Sequence, residues 1–171
     1  MKKLMATVLA VAVLISLSPA RAQNEGQHQS QQPSKKLEAM LNAAEIPFNK
    51  SEEGSYVAVI TVGENESERF HIQLNYLGND PNNERYQVIQ MYFLLGQIPK
   101  GASFPPALVK QINVWNSNLT MGRVVAFSQV VLYTSSSWLA KTDADTLGLD
   151  AALGHFASQD LRKEIAPYLK Q

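Results

Sequence analysis

The chain contains no cysteine, which excludes disulfides, thiolate nucleophiles and zinc–thiolate sites and leaves no thiol for a lipid at an N-terminal cleavage point. Histidine is nearly as scarce. His28, His71 and His155 stand far apart and no H-E-x-x-H occurs, so the spacing that holds a catalytic zinc is missing. The glycines of "GENES" and "GQIPKG" lack the lysine–serine ending of a phosphate loop, and no G-x-S-x-G elbow is present. Lysine and arginine form no basic cluster beyond "MKK", which argues against nucleic acid and anionic membrane surfaces as partners.

What is present begins with an export signal. "MKK" supplies the positive start, "LMATVLAVAVLISL" an apolar core too short for a membrane span with these flanks, and "SPARA" small residues before a cut. Residues 1–22 are read as a signal peptide, cleaved after Ala22. The mature chain is then periplasmic or secreted, with no stable membrane insertion. Removing the signal takes Lys2, Lys3 and Arg21 and no carboxylate, which leaves 12 basic against 15 acidic side chains, a net charge of −3. Residues 23–34, "QNEGQHQSQQPS", carry no large apolar side chain and read as a disordered, glutamine-rich leader. Residues 35–171 remain as one domain.

Within that domain, Leu37, Met40, Leu41 and Ala44 recur at helical spacing behind a cap at Ser34, and Pro47 limits the helix. Tyr56 to Val62 is a β-branched run. Phe70, Ile72, Leu74 and Tyr76 alternate with Arg69, His71, Gln73 and Asn75, the pattern of a half-buried strand. Tyr86 to Leu95 is a third strand, apolar on both faces. Gly101 and Ser103 open a second helix with a double proline in its first turn and a stripe of Leu108, Val109, Ile112 and Trp115. "GRVVAF" and "VVLYTSS" form a hairpin. A last helix follows a cap at Asp143 or Asp145, places Leu149, Leu153 and Phe156 on one face, and is interrupted near Ser158 to Asp160. The order α-β-β-β-α-β-β-α predicts an α+β fold with a single antiparallel sheet of about five strands and helices mainly on one face.

This order resembles the YbjN-type domain, a bacterial family described as sensory transduction regulators, whose fold is similar to that of type III secretion and Tir chaperones. The matching segments are "LNAAEIPF" leading into "YVAVI", the helix "LVKQINVWN", then "GRVVAF" and "VVLY", and "TDADTL" entering the last helix. The resemblance implies a dimeric, non-catalytic binding domain. The roles associated with that fold are cytosolic and this chain carries an export signal, so cytosolic effector binding is not carried over.

Three functions compete. A sheet apolar on both faces needs its second face covered by its own helix or by a partner. The first reading is therefore an exported protein-binding module, chaperone-like or regulatory, binding itself as a homodimer and an unidentified protein or peptide. Tyr86, Val88, Tyr92, Leu94, Val131 and Tyr133 are the candidate partner surface. The second is a carrier of a small molecule or lipid, with a pocket between the sheet and the C-terminal helix. The third is a hydrolase with an unrecognised serine or aspartate site. No catalytic residue, cofactor or metal is nominated: His71 reads as a solvated strand histidine, His155 as a surface or rim residue, and Asp80, Asp143, Asp145 and Asp150 as turn or cap residues. The segment "INVWNSNLTMGR" reads as a structural motif. Trp115 belongs to the core, and Gly122 and Arg123 lead into the strand. Asn113 and Asn116 hold the helix to the adjoining strand or turn, so that Asn113→Ala is expected to cost stability before binding.

Overall fold

A computed structural model describes residues 34–51, 54–63, 66–77 and 83–169. Residues 1–22 read as a signal peptide, nearly all of the segment read as a leader, with His28, and the turn expected around Asp80 lie outside them. Ser34 caps α1 (Lys35–Ala43), its Oγ accepting from the Leu37 N–H at 3.1 Å. Leu37, Met40 and Leu41 are buried. After Pro47 the chain enters a six-stranded antiparallel sheet of β1 (Phe48–Lys50), β2 (Tyr56–Val62), β3 (Glu66–Tyr76), β4 (Gln87–Gln97), β5 (Arg123–Phe127) and β6 (Val130–Trp138). The spatial order is β1-β2-β3-β4-β6-β5. Strand β1 is one more than the sequence predicts, since three residues carry too little alternation to be read.

Helix α2 (Pro106–Asn118) starts at a Pro105 cap, later than the Gly101–Ser103 opening expected. The loop prolines hold extended backbone up to the first turn, where their missing N–H groups cost nothing. Leu108, Ile112 and Trp115 are buried while Val109 faces solvent. Helix α3 (Ala144–Leu169) runs unbroken through Ser158–Asp160, because Ser158 turns its hydroxyl back to the His155 carbonyl at 2.8 Å and leaves the backbone ladder intact. Asp143 caps it, its Oδ1 accepting from the Thr146 N–H at 2.8 Å. The Thr146 hydroxyl first, and then this backbone N–H, hold the Asp143 carboxyl below its usual range.

All three helices lie on one face of the sheet. Tyr56, Phe70, Ile72, Ile89, Met91, Phe93 and Tyr133 meet them in one core, with Phe70 and Phe93 stacked at 4.9 Å. The face that α3 presents to this core differs from the one expected. Leu147, Ala151, Gly154, His155, Ser158, Leu161 and Ile165 are buried, whereas Leu149, Leu153 and Phe156 share a face that points to solvent. Small residues let the helix sit close, and a Cβ at Gly154 would overlap the Phe93 ring.

Candidate interaction surface

Strand alternation and register define the face that no helix covers among the described residues. Val57, His71, Tyr92, Thr134 and Arg123 form one row across five strands. Leu94, Leu132 and Val125 form the neighbouring row, and Asn75, Val88 and Trp138 another. Most of these side chains are half-buried by one another, while Val125, Phe127 and Trp138 are 40%, 45% and 43% exposed. Polar pairs tie the strands together: Asn75 Nδ2 donates to Gln90 Oε1 at 2.6 Å and the Tyr92 hydroxyl donates to Gln73 Oε1 at 3.4 Å. His71 is pushed below its ordinary value by desolvation, and burial pushes the Tyr92 phenol up.

Of the predicted surface residues, Val88, Tyr92 and Leu94 lie together on this face. Tyr86 is exposed in the 3-10 turn just before β4. Val131 and Tyr133 do not belong to it: both are buried on the helix side, Tyr133 opposite Phe93 and Val124. Pairing of Tyr133 with Phe93 puts Leu132 and Thr134 on the open face, opposite Leu94 and Tyr92, where the sequence suggested their neighbours. Val125, Phe127 and Trp138 are missed by the sequence reading. Alternation along "RVVAF" could have found the first two.

The asparagine motif is local architecture. Asn116 Oδ1 accepts from the Val124 N–H at 2.7 Å and its Nδ2 donates to the Val124 carbonyl at 2.9 Å, so one amide closes the β5 edge as a neighbouring strand would. Asn113 is exposed and makes no side-chain hydrogen bond among the described residues, which corrects the shared role expected for it. Asn116→Ala, rather than Asn113→Ala, is expected to lose about 2 kcal/mol in urea unfolding, because two edge groups lose their partner at once. Gly122, at φ 70°, turns the chain under Tyr133, and a Cβ there would overlap the Tyr133 hydroxyl. Arg123 starts β5 on the open face, exposed. Trp115 is core, its Nε1–H donating to Glu164 Oε2 at 2.5 Å.

One cluster on the helix side has the composition of a hydrolytic site. His155, buried rather than at the rim, puts Nδ1 at 2.7 Å from Glu68 Oε2, and Ser158 Oγ lies 3.0 Å from the same oxygen. Gln159 Nε2 lies 3.1 Å from His155 Nε2 and donates to Glu66 Oε2 at 3.0 Å. The tautomer with hydrogen on Nδ1 satisfies both histidine contacts. A nucleophile–base pair needs Ser Oγ on the free imidazole nitrogen. Here Ser158 is fully buried and faces the carboxylate, so the group is a polar clamp. Arg162 completes it, donating from Nη2 to Glu68 Oε1 and from Nε to the Leu94 carbonyl at 2.8 Å, beside the register shift.

The sheet–α3 interface, where a carrier pocket is expected, is filled by the Gly154–Phe93 contact. A cleft of about 250 Å³ lies instead between α2 and α3, lined by Trp115, Leu119, Ala157 and Leu161 with Asp160 and Glu164. Among the described residues no three potential metal ligands cluster and no helix is long and apolar enough to cross a membrane.

No protein-family model matches the chain, the YbjN-type included, and no curated protein matches it. Among solved structures it is similar to the Yersinia pestis type III secretion chaperone SycH, solved in complex with a stable fragment of YscM2. The identity is 15%, the match covers 75% of this chain and 98% of that one, and the TM-score is 0.44.

Proposed function

We propose that the chain is an exported, non-catalytic protein-binding module, chaperone-like or regulatory, which engages its partner through the open face of the sheet. The observation that carries this reading is the uncovered face itself. Val125, Phe127 and Trp138 stand 40–45% exposed beside half-buried Val88, Tyr92, Leu94 and Leu132. An antiparallel sheet that faces only water is normally polar on that side; here register places Trp138 beside Val88 at one end and Val125 beside Leu132 and Leu94 at the other, with Tyr92 between them, and exposed apolar groups of this kind mark a contact surface. Export is supported by the pattern of residues 1–22. Asn116 seals the β5 edge, which favours docking on the face over addition of a strand there. The carrier reading has less support, since the one cleft described opens between two helices and has carboxylates in its lining.

A photoreactive phenylalanine at position 138 tests the reading in the exported fraction. It should give a discrete protein adduct, and the same probe at exposed Asn113 should give none. Truncating Tyr92 and Leu94 together to alanine should lower the adduct yield about tenfold or more, as loss of a central anchor does. Undiminished adduct in that variant, or none from position 138, would sink the proposal.

A further inference from the structure

The molecule presents two apolar surfaces to solvent, on opposite sides. One is the open sheet face. The other is the outer ridge of α3, where Leu149, Leu153 and Phe156 are 59%, 39% and 49% exposed. At 100° per residue Leu149, Leu153 and Phe156 lie about 160°, 120° and 180° from the buried line through Leu147, Gly154 and Ser158, so the ridge points away from the sheet.

Their charges are complementary. By register, the open face carries the cations Arg69 and Arg123 and, among the described residues, no carboxylate. The α3 ridge is bounded by aspartates: Asp145 one turn before Leu149 and Asp160 one turn after Phe156, both exposed. Asp160 also holds Lys163 at 3.0 Å, an exposed pair that contributes little and yields readily. The spans agree. Asp145 and Asp160 are about 22 Å apart along the helix. Arg69 and Arg123 lie three strands across and two residues along, roughly 16 Å between Cα atoms, and the two guanidinium side chains cover the difference. Pairing two open faces would instead bring together surfaces with cations and no counter-charge.

We infer that the open sheet face is built to receive the outer ridge of α3 from a second copy of this chain. The contact is heterologous, helix on sheet, and rests on the reading of the open face as a binding surface. The ridge from Asp145 to Asp160 is about 22 Å long on a helix about 10 Å wide, a footprint of roughly 220 Å² per copy, which marks a weak, concentration-dependent contact. Because ridge and face lie on opposite sides, each added copy leaves one of each exposed, so association is open-ended rather than a closed dimer.

The test uses the chain from Gln23 onward, analytical ultracentrifugation over roughly 1–300 µM, and two variants at exposed positions, Val125→Glu on the face and Leu153→Glu on the ridge. Circular dichroism melts confirm that both fold. The wild-type chain should grow past a dimer as concentration rises. Each variant alone should be monomeric, and an equimolar mixture should form a one-to-one complex and stop there, since one variant keeps the ridge and the other the face. A wild-type dimer untouched by Leu153→Glu would overturn the inference in favour of face-to-face pairing. A mixture of the variants that stays monomeric would overturn it as well. A wild-type chain monomeric throughout, yet cross-linked to another protein from position 138, would overturn it and leave the binding reading standing. Neither association nor adduct would remove both.

Discussion

Glu68→Ala is expected to cost about 3 kcal/mol of folding stability, read as a lower urea midpoint with an unchanged slope. Glu68 lies on the helix side of β3, 8% exposed, and is the common acceptor for His155, Ser158 and Arg162. Removing it leaves the His155 Nδ1–H and the Arg162 Nη2 group without their carboxylate, while Ser158 keeps the His155 carbonyl and Arg162 Nε keeps the Leu94 carbonyl. Burying a charge pair gains little net stability, but breaking one strands the other member in a place built for two. The Arg162 side chain is 35% exposed and can reach water, which sets the expected loss at the low end of the range for buried pairs. Glu68→Gln, which keeps a carbonyl acceptor, should lose less. A loss below about 1 kcal/mol for Glu68→Ala would show that water replaces the carboxylate and that the cluster does not hold α3 to the sheet.

Gly154→Val should cost about 3 kcal/mol, by overpacking. The new side chain would run into the Phe93 ring, itself stacked on Phe70 and fully buried, so neither ring has room to move. Gly154→Ala separates two opposing effects. Replacing a helix-interior glycine with alanine gains about 1 kcal/mol from propensity, whereas overpacking a tight core costs about 1–3 kcal/mol, so the clash should win and the variant should still melt lower. Gly148→Ala is the control. Its Cβ would meet only Ala44 Cβ at 3.8 Å, ordinary contact, and the variant should gain up to about 1 kcal/mol. Equal melting shifts at positions 148 and 154 would contradict the close approach of α3 to the sheet.

Both expectations depend on features invisible in the linear pattern. Helix α3 shows why. Reading its largest apolar residues as the buried stripe selects Leu149, Leu153 and Phe156, and all three face solvent. The buried line is instead built from Ala151, Gly154, His155 and Ser158 with leucine and isoleucine at its ends, because the helix lies too close to Phe93 for large side chains at its middle. Strand β6 shows the second limit. "VVLY" is apolar at every position, so alternation cannot say which pair faces the helices. Pairing across the sheet decided it: Tyr133 lies opposite buried Phe93, which puts Val131 and Tyr133 inside and Leu132 outside.

Local rules carried the rest. Composition and absent motifs removed thiol, zinc–thiolate and phosphate-loop chemistry before any fold was known. Period, caps and turn residues determined the α+β class, the order of the longer elements, the Ser34 cap and the Leu108, Ile112 and Trp115 positions of the α2 stripe, because each follows from neighbours within a few residues, while they left the last cap open between Asp143 and Asp145 and placed Val109 in the stripe. Tertiary structure decided that Asn116 rather than Asn113 pairs with Val124, that Glu68 meets residues about 90 positions away, and that among the described residues one sheet face and one helix ridge stay uncovered. Those depend on distance between elements and on register across strands, and a single chain's pattern encodes neither.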